Sequence, residues 1–158
     1  QNPRFIVRAA GSFKQKPGCS KESIDSLSVE RLDYLCAGEC YNPSNQREVI
    51  EKIEVIKITP QVYAGEAVSP LIQDPWKSIP CQGTGECIVE FEDQNFSRDS
   101  VYYVRAIQNP TPAINGSPLS QRDSFELCKG SFRTDFNDDC LSMTNERAWS
   151  SPIYVDKP

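Results

Sequence analysis

Ser100-Val-Tyr-Tyr-Val-Arg-Ala-Ile-Gln108 is the stretch whose reading decides the fold. Its residues are β-branched and aromatic, the composition that suits a pleated surface. Taken alternately, Val101, Tyr103, Arg105 and Ile107 fall on one face and Tyr102, Val104 and Ala106 on the other. Neither face is purely polar, so the pattern predicts a central strand covered on both sides. Asn109-Pro110 ends the run, because proline donates no ladder hydrogen bond and biases its predecessor away from helix.

Working outward, other segments read the same way. Arg4 to Ala10 is an apolar run closed by Gly11, and Val49 to Ile58 is a second clear strand. In it Lys52 and Glu54 are expected to face water while Ile53 and Val55 face inward. Ile56-Lys57-Ile58 then shifts the apolar parity, which fits a bulge or a strand covered on both sides. Cys87 to Glu92 precedes the central strand and is expected to pair antiparallel with it. Arg147 to Val155 is split by Pro152 into two short extended pieces, the mark of an edge strand. Ser28 to Leu35 suits a short helix with Ser28 as its N-cap. Pro17-Gly18 is a turn, and Gln61 to Pro80 reads as a long excursion whose Trp76 packs onto the sheet. About six strands with long connections indicate a mostly β chain folded as one antiparallel β-sandwich over residues 1–158. The pair of late strands resembles the last two of immunoglobulin and fibronectin III domains.

Composition narrows the function. Seventeen basic against 22 acidic residues give a net charge of -5 without a Lys/Arg-rich run, so nucleic acid has no electrostatic footprint here. No apolar run approaches the roughly 18 residues of a membrane-spanning helix. Histidine is absent, which removes the usual general base, proton shuttle and commonest metal ligand together. Glu51, Glu54, Glu90 and Glu92 remain for carboxylate chemistry, yet they alternate with apolar residues as solvent-facing charges do. The chain itself is therefore expected to be non-catalytic.

Seven cysteines fit an oxidising compartment, periplasmic or extracellular. The candidate disulfides are Cys81 with Cys87, Cys36 with Cys40 and Cys128 with Cys140, pinning the long loops and leaving Cys19 over. Cys36-x3-Cys40 has a zinc-like spacing, but a zinc site wants a second comparable pair, and Cys81-x5-Cys87 is too wide. One segment has cation-ligand logic: Asp135, Asn137, Asp139 and Glu146 occupy positions one, three, five and twelve of a calcium loop. Position six is Cys140 instead of glycine and no helical pattern flanks it, so an acidic turn is the competing reading. Calcium is the only cofactor the residues suggest. Asn95-Phe96-Ser97 and Asn115-Gly116-Ser117 have the form of glycosylation acceptors.

Several blocks together carry a broader likeness: Arg4 to Phe13, Gly18-Cys19, Cys36 to Pro43, Ile53 to Ile58, Tyr102 to Gln108, and Glu146-Arg-Ala-Trp-Ser-Ser-Pro-Ile153. They resemble the C-terminal part of a secreted bacterial family that is itself similar to the polymerase and histidinol phosphatase (PHP) metallohydrolases. The resemblance runs from about Arg4 to Val155. It implies a β-sandwich accessory to an upstream, metal-dependent catalytic domain of the same polypeptide. The metal ligands of such a domain are mostly histidines, so no catalytic residue transfers to this chain. A free-standing extracellular module for carbohydrate or protein, with Trp76, Trp149 and the tyrosines as stacking groups, is the alternative.

Overall fold

The computed structural model describes residues 2–36, 41–114 and 141–158. In chain order the elements are β1 (Arg4–Ala10), β2 (Phe13–Pro17), α1 (Lys21–Ser26), α2 (Val29–Cys36), β3 (Tyr41–Arg47) and β4 (Ile50–Ile58). After a 3-10 turn at Ser69–Leu71 come β5 (Ile72–Pro80), β6 (Glu86–Glu92), β7 (Ser100–Gln108), β8 (Thr111–Ile114), β9 (Leu141–Thr144), β10 (Arg147–Trp149) and β11 (Ile153–Val155). The chain is mostly β, and every strand pair among the described residues is antiparallel.

The residues form two compact units. The first takes in Gln1–Ser12, Glu48–Asn109 and Asn145–Pro158. Its main sheet has five strands, β7 and β5 flanking β4, with β10 and β11 both on the far side of β7. The expected central strand is thus β7, and Pro152 does divide the edge into β10 and β11. A second sheet pairs β1 with β6, from Arg4 opposite Glu92 to Ala10 opposite Glu86. Alternation along β1 turns Phe5, Val7 and Ala9 inward, where Val7 and Ala9 pack with Val89 against the buried Ile50, Ile53 and Cys87. The arrangement is sandwich-like, with its core between the two layers.

Three expectations change. The strand at Cys87 to Glu92 pairs with β1 rather than with β7. The cause lies in the connection: Asp93 is 1% exposed and accepts the backbone N–H of Asn95, so the turn after β6 is drawn into the core and the chain crosses between layers. The excursion read at Gln61 to Pro80 ends in a regular strand, β5, despite Pro75. A register shift opposite Val55–Lys57 accommodates that proline, and β5 is an edge strand, where its missing N–H costs no ladder bond. The parity change at Ile56-Lys57-Ile58 is not a bulge in β4, which stays in register with β7 from Lys52 to Ile58; the strand is covered on both sides, with Val55 and Ile56 both 0% exposed. Finally, Glu54 does not face water; it is 9% exposed.

Gly11 marks the end of β1 for a steric reason. A Cβ there would stand 2.0 Å from the carbonyl oxygen of Glu48, where the backbone returns to start β4. Cys81 and Cys87 form the first expected disulfide and close the turn between β5 and β6. Cys40, Cys128 and Cys140 and the Cys36 side chain lie outside the described residues, so the other two pairings and the leftover role of Cys19 do too.

The second unit takes in the described residues of Phe13–Arg47 and Pro110–Thr144. It contains the β2–β3 ribbon, the β8–β9 ribbon and both helices. Ser28 caps α2 as expected, its Oγ accepting the Arg31 N–H at 3.3 Å. Helix α1 escaped the sequence reading although Ser20 caps it in the same manner. Arg47 stands 4.2 Å above the Phe13 ring across the β2–β3 ribbon.

Candidate functional site

The outward face of the five-stranded sheet is built by cross-strand pairing. Glu54 lies opposite Arg105, and Arg105 opposite Trp149; Lys52 lies opposite Ile107, and Ile107 opposite Arg147. Directly opposed residues of an antiparallel pair share a face, so both rows project the same way. A register shift between Ile50 and Lys52 adds an extra residue to β4 there, so the neighbours Glu51 and Lys52 both reach this side. Together with Asn145 these side chains line a cleft of about 310 Å³.

Its floor is an ion network. Glu54 accepts two bonds from Arg105, at 3.1 Å from Nε and 2.8 Å from Nη2, and its other oxygen stands 3.0 Å from the Lys52 ammonium. Arg105 also donates to both oxygens of Asp74 on β5. Burial works to raise the Glu54 pKa, but bonds and charge from Lys52 and Arg105 outweigh it and hold the carboxylate below the ordinary range. Burial likewise opposes the charge on Arg105, and its two carboxylates more than restore it. Glu54 is accordingly a permanent counter-ion, unsuited to donating a proton. Asn145 Nδ2 fixes the wall, donating to the Gln108 carbonyl at 2.7 Å and to Glu51 at 3.2 Å.

The inward face holds a second charged group. Lys57 projects from β4 beside Tyr102 of β7 and donates to Asp93 Oδ2, which also accepts the Tyr102 hydroxyl at 2.6 Å. Phe5 lies 4.8 Å and Trp76 5.9 Å from the Tyr102 ring, while Lys57 Nζ sits 5.4 Å from the centre of Trp76. Trp76 thus packs onto the sheet as expected. Burial pushes Asp93 upward, yet hydrogen bonds from Lys57, Tyr102 and the Asn95 N–H leave its pKa below the ordinary value. Burial, and then the bond to Asp93, push the Tyr102 phenol well above its usual pKa. These groups consume one another and offer nothing to a ligand.

The outer face of the β1–β6 ribbon is different again. Water-facing positions of a sheet are normally polar. Here Ile6 is 63% and Ile88 64% exposed, diagonal neighbours ringed by Arg4, Arg8, Glu90 and Glu92.

Of the expected site residues, Glu51 and Glu54 meet in the cleft. Glu90 and Glu92 belong to the other layer. The calcium ligands Asp135, Asn137 and Asp139 lie outside the described residues, whereas Glu146 is exposed and accepts from Gln108 Nε2 at 3.2 Å. Among the described residues no three metal-ligating side chains gather. Nor is any helix among them long and apolar enough to cross a membrane. The sequence reading missed Arg105, although a cation in a strand covered on both sides demands a carboxylate from a neighbouring strand. A family model described as a protein of unknown function (DUF3604) matches residues 78–157, from β5 through β11. No curated protein and no solved structure matches the chain.

Proposed function

The chain belongs to the DUF3604 family of proteins of unknown function, and from that premise we propose that it is a non-catalytic accessory sandwich docked onto a larger domain of the same secreted polypeptide. The larger domain is a PHP-type metal-dependent hydrolase, as the sequence resemblance implies. The observation that carries the reading is the pair Ile6 and Ile88 on the outside of the β1–β6 ribbon. An apolar centre with a charged rim is the anatomy of a protein interface, and two arginines against two glutamates leave that rim neutral. Trimming either isoleucine would not disturb the core, since both point away from it.

The test is association in trans between this chain and the separately expressed remainder of its polypeptide, followed by gel filtration. Co-elution is the expected result, with binding about tenfold or more weaker for Ile6→Glu/Ile88→Glu. Failure of the unaltered chain to associate, or equal binding by the double variant, would count against the proposal.

A further inference from the structure

The cleft on the outward face of the five-stranded sheet has no part in that docking surface, which lies on the other layer. Its floor is closed, because Lys52, Glu54, Arg105 and Asp74 satisfy one another. Two wall groups of opposite sign remain open. Glu51 has one partner, the Asn145 amide, and the exposed Arg147 guanidinium has no hydrogen bond or ion pair among the described residues. The two do not pair with each other although they line the same cleft.

A ligand of fixed charge would match one of these groups and repel the other. Hydroxyls both donate and accept, so neighbouring hydroxyls of one ring satisfy a carboxylate and a guanidinium together. Trp149 stands beside the cleft rather than in its lining, opposite Arg105 on the same face. It follows Arg147 by two residues on β10, hence about 6.6 Å along the same face, and it is 61% exposed. Its indole is a plane against which the C–H face of a ring can lie. The volume, about 310 Å³, is at the low end for small-molecule sites and suits a single ring. Arg105, locked between Glu54 and Asp74, keeps the floor rigid, so little ordering accompanies binding.

We propose that this cleft binds a neutral pyranose sugar, with Trp149 against the ring and Glu51, Asn145 and Arg147 on its hydroxyls. The probes are D-glucose, D-galactose and D-mannose, with D-glucuronate as the charged control, titrated while the indole N–H signal of Trp149 is followed by NMR. Trp76 supplies the only other indole, and its signal reports that the fold is intact. At least one neutral hexose should move the Trp149 signal saturably below about 100 mM, and Arg147→Ala and Glu51→Gln should each weaken that binding about tenfold. Both positions are exposed, so the variants should fold. The proposal is overturned by no shift with any of the three hexoses, by unchanged binding in both variants, or by glucuronate binding more tightly than the neutral sugars. Each of those results leaves the docking reading untouched, because that reading rests on Ile6 and Ile88.

Discussion

The two faces of the five-stranded sheet hold the same chemistry, a cation clasped by carboxylate, in opposite surroundings. Inside, Lys57 and Asp93 have side chains 10% and 2% exposed and sit among aromatic rings. Outside, Arg105 binds Glu54 and Asp74; the Arg105 and Glu54 side chains are 19% and 12% exposed, and Asp74, at the sheet edge, is 39% exposed. In the interior each charge has surrendered its hydration, so it depends wholly on its partner. On the outer face Arg105 has two carboxylates, one of them at the exposed edge, so the loss of one leaves it paired by the other, and the network's value lies in fixing geometry. The difference teaches that the inner group belongs to folding and the outer one to whatever the cleft holds.

The largest effect should come from breaking the inner pair. Asp93→Ala strands Lys57 and the Tyr102 hydroxyl among aromatic side chains and should cost about 3–5 kcal/mol in urea unfolding. Replacing the pair as Lys57→Met/Asp93→Leu should recover most of that, because the burial cost of both charges disappears with them. A cost for Asp93→Ala within about 1 kcal/mol would mean that water reaches the pair, and the contrast between faces would collapse.

The pH profile sharpens the same contrast. Asp93 has a lowered pKa in the folded protein, so its contribution is whole above the unfolded value of about 3.9 and is lost as pH falls through the folded value. Tyr102 is shifted the other way; its contribution is whole below about pH 10 and is lost as pH rises through the folded value. Melting temperature against pH should therefore show a plateau between those limits. Asp93→Asn should flatten its acid edge, and Tyr102→Phe its alkaline edge. In an alkaline absorbance titration, one of the six tyrosines should resist ionisation until the fold is lost.

The smallest effect belongs to the outer face. Glu54→Gln leaves Arg105 still held by Asp74 and should cost about 1 kcal/mol or less, a difference that shrinks in roughly 1 M salt. A loss as large as that of Asp93→Ala would show that the network is part of the core.

Much of the scaffold was legible in the residues. Strands β1, β4 and β7, the divided edge at Pro152, the cap of α2 and the Cys81–Cys87 bridge all follow from local signals: alternation, proline and glycine punctuation, a serine before a helix, a short cysteine spacing. Strand β5 was hidden because Pro75 sits inside it, and a proline speaks against a strand until the edge position and the bulge are known. The β2–β3 ribbon was hidden because its residues are polar and bury little. For the cleft, Glu51 and Glu54 were visible as carboxylates, but their alternation with apolar neighbours marked both as solvent-facing. Nothing local revealed that Arg105, fifty-one positions along, would cover Glu54.

The sequence by itself determined that β1, β4, β6, β7 and the edge divided at Pro152 extend, and which proline or glycine stops most of them, because these depend on residues within a few positions of one another. Only the tertiary structure decided that β6 pairs with β1, that Asp93 neutralises Lys57 thirty-six residues away, and that Glu51 and Arg147 stand in one cleft. Strand alternation has a period of two and names no partner; partner and register come from the burial of a shared core, a property of the whole unit.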